Sequence, residues 1–588
     1  MNALRHLLAR LIHPFPPFPL IAGQYCSPLE ARVCAGGAAH VERMFAELPA
    51  VRTISAAFVR FMGGDPEAER ALKKAYHTTY EQRARTLASR LEPAARHGFD
   101  DIPAPSGAHP LDRSVAAELG RLDARAAALA TANRGRAAHL LSAALWAAAL
   151  AVAPVGILIR RGKPTVMPRR IEVLACETVR DRIWSALVQA AKDEGAWRDG
   201  AMAILRMNRT GRGGDVLPVV TASDLPVPRA RWWREVVLPG LRLARTAVIV
   251  AWNNRRDARV VETAARALNL ACAGLKVRQV GYALGFRMWL DDAEHDPIHT
   301  MKAIVARRSG GRAVRFPRTE QDSPGTMLSF MGYDIYPAGG PYQLRTYGSS
   351  WNPRCESVSL GLMQHDRRLR QGEHLAPEFE RAIGTRLDQG KHMAVFFGPS
   401  DVPGLERPMR ELFDTLIAAL AGNKDWFIVL KPKLINWFGA LLAADPRHAR
   451  WVEQADIVTI AYPRPGEEVC PSSWLIERMR FGTGWQGTIA VEALAQGRPF
   501  FCWYPFTEQT PYKTGLATRG LLHNDFDAYR RAIQAYANAP DPAQYDLGWF
   551  RDAFDPFGDG NALGRLADIL FGGKTAATQS RSLVLERT

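Results

Sequence analysis

Two stretches of this chain hold residue types that could do chemistry. The first is "WLDDAEHDPIHTMK", where Asp291 and Asp292 are followed by His295, Asp296 and His299. A carboxylate or imidazole in such a cluster can take a proton from a hydroxyl. The spacing His295-Asp296-x-x-His299 also resembles a metal-ligand pattern, but mixed His/Asp turns are common on solvated helices, and no metal is expected. The second stretch is "FGTGWQGTIAVEALAQGRPFFCWYPF", from Phe481 to Phe506. Its glycines, Gly482, Gly484 and Gly487, read as a flexible loop before a helix that begins near Thr488. A helix N-terminus offers unbonded N–H groups and the positive end of a dipole, which suits a phosphate. Thr483 and Thr488 can add hydroxyl donors. Glu492 follows Thr488 by four residues, on the same helical face, where its carboxylate could accept two ribose hydroxyls. Upstream, "DWFIVLKPK" ends an apolar run on Lys431 and Lys433, cations at a strand end. Phosphate, ribose and proton transfer are therefore the chemistry these residues suggest.

The elements that must position them alternate. From about residue 168 the texture is strand then helix: "RRIEVLACETVRDRIWSALVQAAKDEGAW" reads as a buried strand and an amphipathic helix. "RTAVIVAWNN" followed by "DARVVETAARALNLACAGLKVRQVGYAL" reads as strand–helix–strand. After about residue 390 the order recurs in "KHMAVFFGPS", "PMRELFDTLIAALAG" and "KDWFIVLKPK". Such alternation predicts parallel sheets with crossover helices. Two sheets are expected, with "YGSSWNPRCESVSLGLMQHDRRLR" as the linker between them. Residues 40–135 read as mainly helical. At 588 residues the chain is too long for one core. The expected division is a helical, membrane-associated extension over 1–165, Rossmann-like domains over 166–365 and 366–570, and a flexible tail over 571–588.

Composition narrows the partners. The net charge of +17 implies acidic ones, whether nucleic acid, anionic lipid or phosphate-bearing substrates. No nucleic-acid motif or basic-aromatic patch accompanies it, so no nucleic-acid partner is expected. The seven cysteines are scattered, with no zinc spacing, and read as reduced cytoplasmic thiols. Leu4, Leu7, Leu8 and Leu11 share a helical face beside Arg5 and Arg10, which fits a helix lying on an anionic inner-membrane surface. "AHLLSAALWAAALAVAPVGILI", Ala138–Ile159, has no charged residue if His139 is neutral and is long enough to span a bilayer. Pro154 and Gly156 favour the alternative of a buried helix that turns into a strand, "VGILIRR". The expected location is cytoplasmic, peripheral or anchored at the inner membrane.

"GTIAVEALAQGRPFFCWYPF" resembles the small-small-Thr, Glu-Ala-Leu, Gly-x-Pro pattern in the C-terminal domain of GT-B glycosyltransferases. The likeness is to the bacterial capsule and surface-polysaccharide group, with its Kdo-transferase-like and glycerophosphotransferase-like members. "DWFIVLKPK", "PYKTGLATRGL" and "FDPFGDGNALGRLADIL" resemble further pieces of that domain in the same order, while "GLMQHDRRLR" and "IEVLACETVRDRIWSALVQA" resemble the domain junction and the first strand and helix. The resemblance covers about 170–570. It implies α/β fold class, with two Rossmann-like domains in GT-B arrangement, and transfer of a sugar from a nucleotide-activated donor to a polysaccharide or lipid-linked acceptor. It implies Lys431, Lys433, Gly484, Gln486, Gly487, Thr488, Glu492 and Lys513 for the donor, Asp291, Asp292 or His295 as base, and no bound cofactor. Trp485 and Gln486 stand where the family has small hydroxyl residues, the His-Pro after the lysine strand is absent, and Val280 replaces the histidine of a Gln-His-Gly turn at Gln279–Gly281. Two other functions share the pattern: a nucleotide-sugar epimerase or hydrolase, and a non-enzymatic polysaccharide assembly or export protein.

Overall fold

The structure is a computed structural model. It describes residues 28–78, 80, 135–159, 171–176, 181–207, 217–222, 225–292, 296–317, 330–347, 351–371, 373, 375–398, 406–433, 437–461, 469–485, 487–504 and 511–572. The leucine face at Leu4–Leu11, His295, Gln486 and most of the tail lie outside them.

Among the described residues, thirteen strands form two sheets, and every strand pair is parallel. The first sheet contains β1 (Val173–Cys176), β2 (Met202–Arg206), β3 (Val219–Thr221), β4 (Met288–Asp291), β5 (Arg312–Arg315), β6 (Ile335–Ala338) and β7 (Glu356–Ser359), in the order β3-β2-β1-β4-β5-β6-β7. The second contains β8 (His392–Phe397), β9 (Trp426–Lys431), β10 (Ile457–Thr459), β11 (Phe481–Trp485), β12 (Phe500–Trp503) and β13 (Leu522–His523), in the order β10-β9-β8-β11-β12-β13. Strands such as β1, β2 and β9 are buried along their whole length, which is why they read as unbroken apolar runs rather than alternating ones. In each sheet the strand order reverses once, between β1 and β4 and between β8 and β11. Crevices that take ligands form at such points, outside the carboxyl ends of the strands. The fold is thus α/β, with two Rossmann-like parallel sheets, as expected.

The helices used below are α1 (Pro28–Glu47), α2 (Pro49–Phe61), α3 (Gly135–Ile159), α4 (Asp181–Asp193), α5 (Leu238–Asn253), α6 (Ala258–Ala283), α7 (Ile298–Arg308) and α8 (Tyr342–Tyr347). The second unit adds α9 (Glu406–Leu420), α10 (Thr488–Ala495), α11 (Pro511–Thr518), α12 (Phe526–Asn538), α13 (Gly548–Phe554) and α14 (Ala562–Phe571). The amino-terminal helices are not a separate body. Ile54, Phe58, Phe61, Leu72 and Leu150 share one core with Leu243, Leu268 and Leu275 of α5 and α6.

Several expected elements differ. "RTAVIVAWNN" is not a strand but the second half of α5, and "KVRQVGYAL" is the end of α6. The physical signal is the small-residue series Gly240, Ala244, Ala247 and Ala251, which is buried at helical spacing. It lets α5 approach its neighbours closely: a Cβ on Gly240 would sit 3.6 Å from both Leu150 and Phe61. Helix α3 continues through Pro154 to Ile159 rather than turning into a strand within this span. Among the described residues, no helix is long and apolar enough to cross a membrane. The expected linker holds β7, the last strand of the first sheet, before the chain leaves it.

The chain passes between the two units twice. It leaves through Leu360–Arg370 and returns through Asp555–Asn561. The two passages are bonded together: Arg367 N–H donates to Gly560 O at 3.0 Å, Leu563 N–H to the Asp366 carboxylate at 2.7 Å, and Arg565 to Leu360 O at 2.9 Å. After the return, α14 packs on α4, and Leu563, Leu566 and Leu570 enter the core of Val173, Trp184 and Leu187. Replacing Leu566 by Ala should therefore destabilise the first unit, not the second, by about 2–5 kcal/mol. Hydrogen exchange resolved by peptide checks this: faster exchange should appear in β1 and α4 while β8 and β9 stay protected.

Candidate active site

The first crevice lies where β1 and β4 end. Cys176 closes β1 and Asp291 closes β4, and the adjacent strands bring together residues far apart in sequence. Asp291 is buried, and its Oδ1 accepts from Lys302 Nζ at 2.6 Å. Cys176 Sγ donates to Asp292 Oδ1 at 3.3 Å. Burial works to lower the Lys302 ammonium, but the neighbouring Asp291 carboxylate outweighs it and holds the group above the ordinary lysine value. Asp292 is half-buried and so the more exposed of the two carboxylates. Cys176, Asp291 and Asp292 offer ligand atoms within 4.8 Å of one another, close enough to hold a metal ion. The Asp291 carboxylate already faces the Lys302 ammonium.

Other members of the predicted cluster have structural work. His299 Nδ1 lies 2.6 Å from Asp296 O and its Nε2 lies 3.0 Å from the Gly332 N–H. The carbonyl requires a proton on Nδ1 and the amide requires a lone pair on Nε2, so the ring is a neutral link buried beneath Tyr333. The Asp296 carboxylate accepts the Ile298 N–H at the start of α7, and burial pushes its carboxyl above the usual range. Gln279 and Gly281 are not in a turn. Both lie in α6, where Gln279 donates to Leu225 O at 2.5 Å.

The second crevice lies where β8, β9, β11 and β12 end. Gly482 and Gly484 are not in a loop, because Phe481–Trp485 is the strand β11 between β8 and β12. The glycines serve packing: a Cβ on Gly482 would meet the Phe500 ring at 2.6 Å, and one on Gly484, whose φ is +149°, would meet Phe397 O at 2.6 Å. Thr483 is buried, donates to Phe501 O at 2.8 Å and bonds Tyr529, so it cannot serve a ligand. Trp485 packs on Trp503 and Tyr504, with ring centroids 5.6 and 5.9 Å away, inside its own unit. Gly487, in extended backbone, precedes α10, which begins at Thr488. No side chain caps that helix.

Lys431 ends β9 and is buried, while Lys433 is exposed two residues on. Lys513, on α11, is buried with its ammonium 3.3 Å from the Tyr504 hydroxyl and 4.3 Å from the centre of that ring. Lys431, Gly487, Thr488 and Lys513 therefore cluster around the strand ends. Glu492 lies one turn inside α10, largely buried, and its backbone carbonyl accepts from His365 Nε2 at 3.2 Å. His365 itself is buried in the passage between the units, its Nδ1 2.6 Å from Asp555.

The carboxyl edges of both sheets reach one junction. Tyr342, just after β6, accepts the Tyr512 N–H at 3.0 Å; Tyr512 opens the helix that follows β12. The Tyr342 ring meets Phe554 of α13, with centroids 4.8 Å apart. Gly340 is required there, because a Cβ would lie 2.3 Å from Ala553 O. Helix α13 in turn packs on α10. Neither Cys176 nor Lys302 is marked in the sequence as a partner of Asp291 and Asp292. The adjacency of β1 and β4 brings in Cys176, and the return of α7 brings in Lys302.

No family model matches the chain, and no curated protein matches it. Among solved structures the chain is similar to a putative UDP-N-acetylglucosamine 2-epimerase from Listeria monocytogenes, at 13% identity over 68% of this chain and 96% of that one, with a TM-score of 0.42. It is similar to the wall teichoic acid polymerase TagF, at 10% identity over 72% and 92%, with a TM-score of 0.37. It is also similar to an alpha,alpha-trehalose 6-phosphate synthase from Burkholderia multivorans, at 12% identity over 71% and 99%, with a TM-score of 0.40. Likeness at this level carries no weight for activity, and the fold assignment rests on the strand orders above.

Lys302→Met should leave the Asp291 carboxylate buried without its counter-charge, at a cost of about 3–5 kcal/mol. Because the Lys302 value is raised on folding, its contribution is fully present below the ordinary lysine value of about 10.4 and is lost as pH rises through the folded value. Denaturant melts from neutral to alkaline pH check this: the wild type should show the alkaline loss, and the variant should start lower and lack it.

Proposed function

We propose that the protein is a glycosyltransferase that moves a sugar from a nucleotide-activated donor to a hydroxyl of a surface-polysaccharide or lipid-linked acceptor. The observation that carries this reading is the meeting of the two carboxyl edges at Tyr342 and Tyr512, one edge bearing a carboxylate pair and the other bearing cations with a helix N-terminus. On this reading the second unit holds the donor. Lys431 and the N–H groups of Gly487 and Thr488 face its phosphates, Lys433 and Lys513 add positive potential, and Glu492 accepts the ribose hydroxyls. Asp292 takes the proton of the acceptor hydroxyl as that oxygen bonds to the anomeric carbon. The bond from that carbon to the phosphate oxygen breaks, and the nucleotide leaves with the electron pair. Preorganised cations and dipoles stabilise that leaving charge without reorganising. Asp291, held by Lys302, is a positioning residue in this scheme.

A thermal-shift screen of CMP, CDP, UDP and GDP identifies the nucleotide. With that nucleotide, Glu492→Gln should weaken binding by about ten- to hundredfold, and Lys431→Ala should remove part of the salt dependence. Calorimetry at two salt concentrations reads both, and unchanged affinity in both variants would remove the donor site. Asp292→Asn should keep nucleotide affinity and lose about 10²–10⁴ in turnover. Donor turnover without any acceptor would instead mark an epimerase or hydrolase.

A further inference from the structure

Helix α5 leaves an unusual face to solvent. Counting from the turn before it, exposed positions recur three or four residues apart, at Arg234, Leu238, Leu241 with Arg242, Arg245, Val248 with Ile249, and Trp252, and Trp233 and Asn253 are exposed as well. They form one stripe along the helix, opposite the small residues that pack inward. Trp252 is 61% exposed, far more than a tryptophan of a closed surface. Helix α3, which packs beside α5, adds Leu145 and Val152, the latter 69% exposed. The charge in the stripe has one sign. Arg234, Arg242 and Arg245 form no ion pair with a described residue. The one carboxylate between 229 and 256, Glu235, is occupied by Arg231, Arg308 and Tyr282.

We propose that this face docks on an anionic lipid surface, with α5 lying in the interface plane. Large apolar side chains interleaved with arginines match the boundary between acyl chains and anionic headgroups, where an amphipathic helix buries its apolar side by about 5–10 Å and each basic residue is attracted. The alternatives fit worse. A second copy packed across a two-fold axis would bring arginines against arginines. A nucleic acid would pair with the arginines but leave Leu241, Ile249 and Trp252 against phosphates. The inference does not depend on the transferase reading, since it concerns a different surface and its test reads no turnover.

The test floats the full 588-residue chain with vesicles of phosphatidylcholine alone and of phosphatidylcholine with about one-third phosphatidylglycerol. The wild type should bind the anionic vesicles at least about tenfold more tightly, and the difference should shrink as salt rises. Arg234→Glu with Arg242→Glu and Arg245→Glu should lose about tenfold or more, and the corresponding lysine triple should retain binding. Leu241→Ser with Ile249→Ser and Trp252→Ser should also detach the protein. Melting temperatures should stay unchanged in all three, because every substituted side chain is exposed. A wild type that floats with neither vesicle overturns the proposal, as does a charge-reversed triple that floats as well as the wild type. So does a dimer in sedimentation that Ile249→Ser dissociates while no vesicle is bound.

Discussion

Everything at the junction depends on the double passage between the units and on the polar links that bind its two strands of chain together. His365 and Asp555 are buried together, and the same histidine reaches the backbone of α10. Asp366, next to it, accepts from Leu563 and Arg368. Burial pushes its carboxyl up, and those amide donors work against that. Buried polar links of this kind add little net stability, but leaving one partner unsatisfied costs about 1–3 kcal/mol. Such links therefore hold geometry better than they add stability. They connect the passage to α10, and so to the helix whose N-terminus faces the second crevice.

The two crevices differ in electrostatic character. The first holds paired carboxylates, of which Asp291 is neutralised by a buried lysine and Asp292 is left nearer solvent. The second holds Lys431 at the end of β9 and Lys513 on α11, with a helix start that has no side-chain cap. A reaction that removes a proton from one reactant and releases a phosphate from the other needs this division, because a base and a leaving-group cation placed together would neutralise each other. The aromatic contacts of Tyr342 with Tyr512, Trp549 and Phe554 hold the two edges at one junction while keeping the charged groups on opposite sides.

The helical layer on the first unit follows a different logic. Helix α5 packs inward mainly through small residues and Leu243 and leaves Leu238, Leu241, Val248, Ile249 and Trp252 outside, unlike a globular surface helix, which turns its apolar side chains to the core. Tight inward packing needs little volume, so the large side chains remain available for another medium. The outward placement of Val248 and Ile249 also explains the misleading strand signal of "TAVIVAW": β-branched residues raise strand propensity, yet of the three aliphatic ones only Val250 packs against the core.

The sequence by itself determined the α/β class from the alternation of strands and helices, the start of α10 at Thr488, and the lysine that ends β9. Those signals are local: apolar runs four to six residues long, a break at glycine, a cation where burial stops. It also pointed to Asp291 and Asp292, because two adjacent carboxylates after a buried run are visible without a fold. Tertiary structure decided the rest. Gly482–Trp485 became a strand because β8 and β12 flank it on both sides, and a glycine-rich run looks like a loop until its neighbours are known. Thr483 and His299 lost their candidate roles because buried polar atoms must find partners, and the partners, Phe501 and Gly332, are distant in sequence. Cys176 and Lys302 joined the carboxylates only through the adjacency of β1 and β4 and the return of α7, contacts between residues whose spacing along the chain carries no periodic signal.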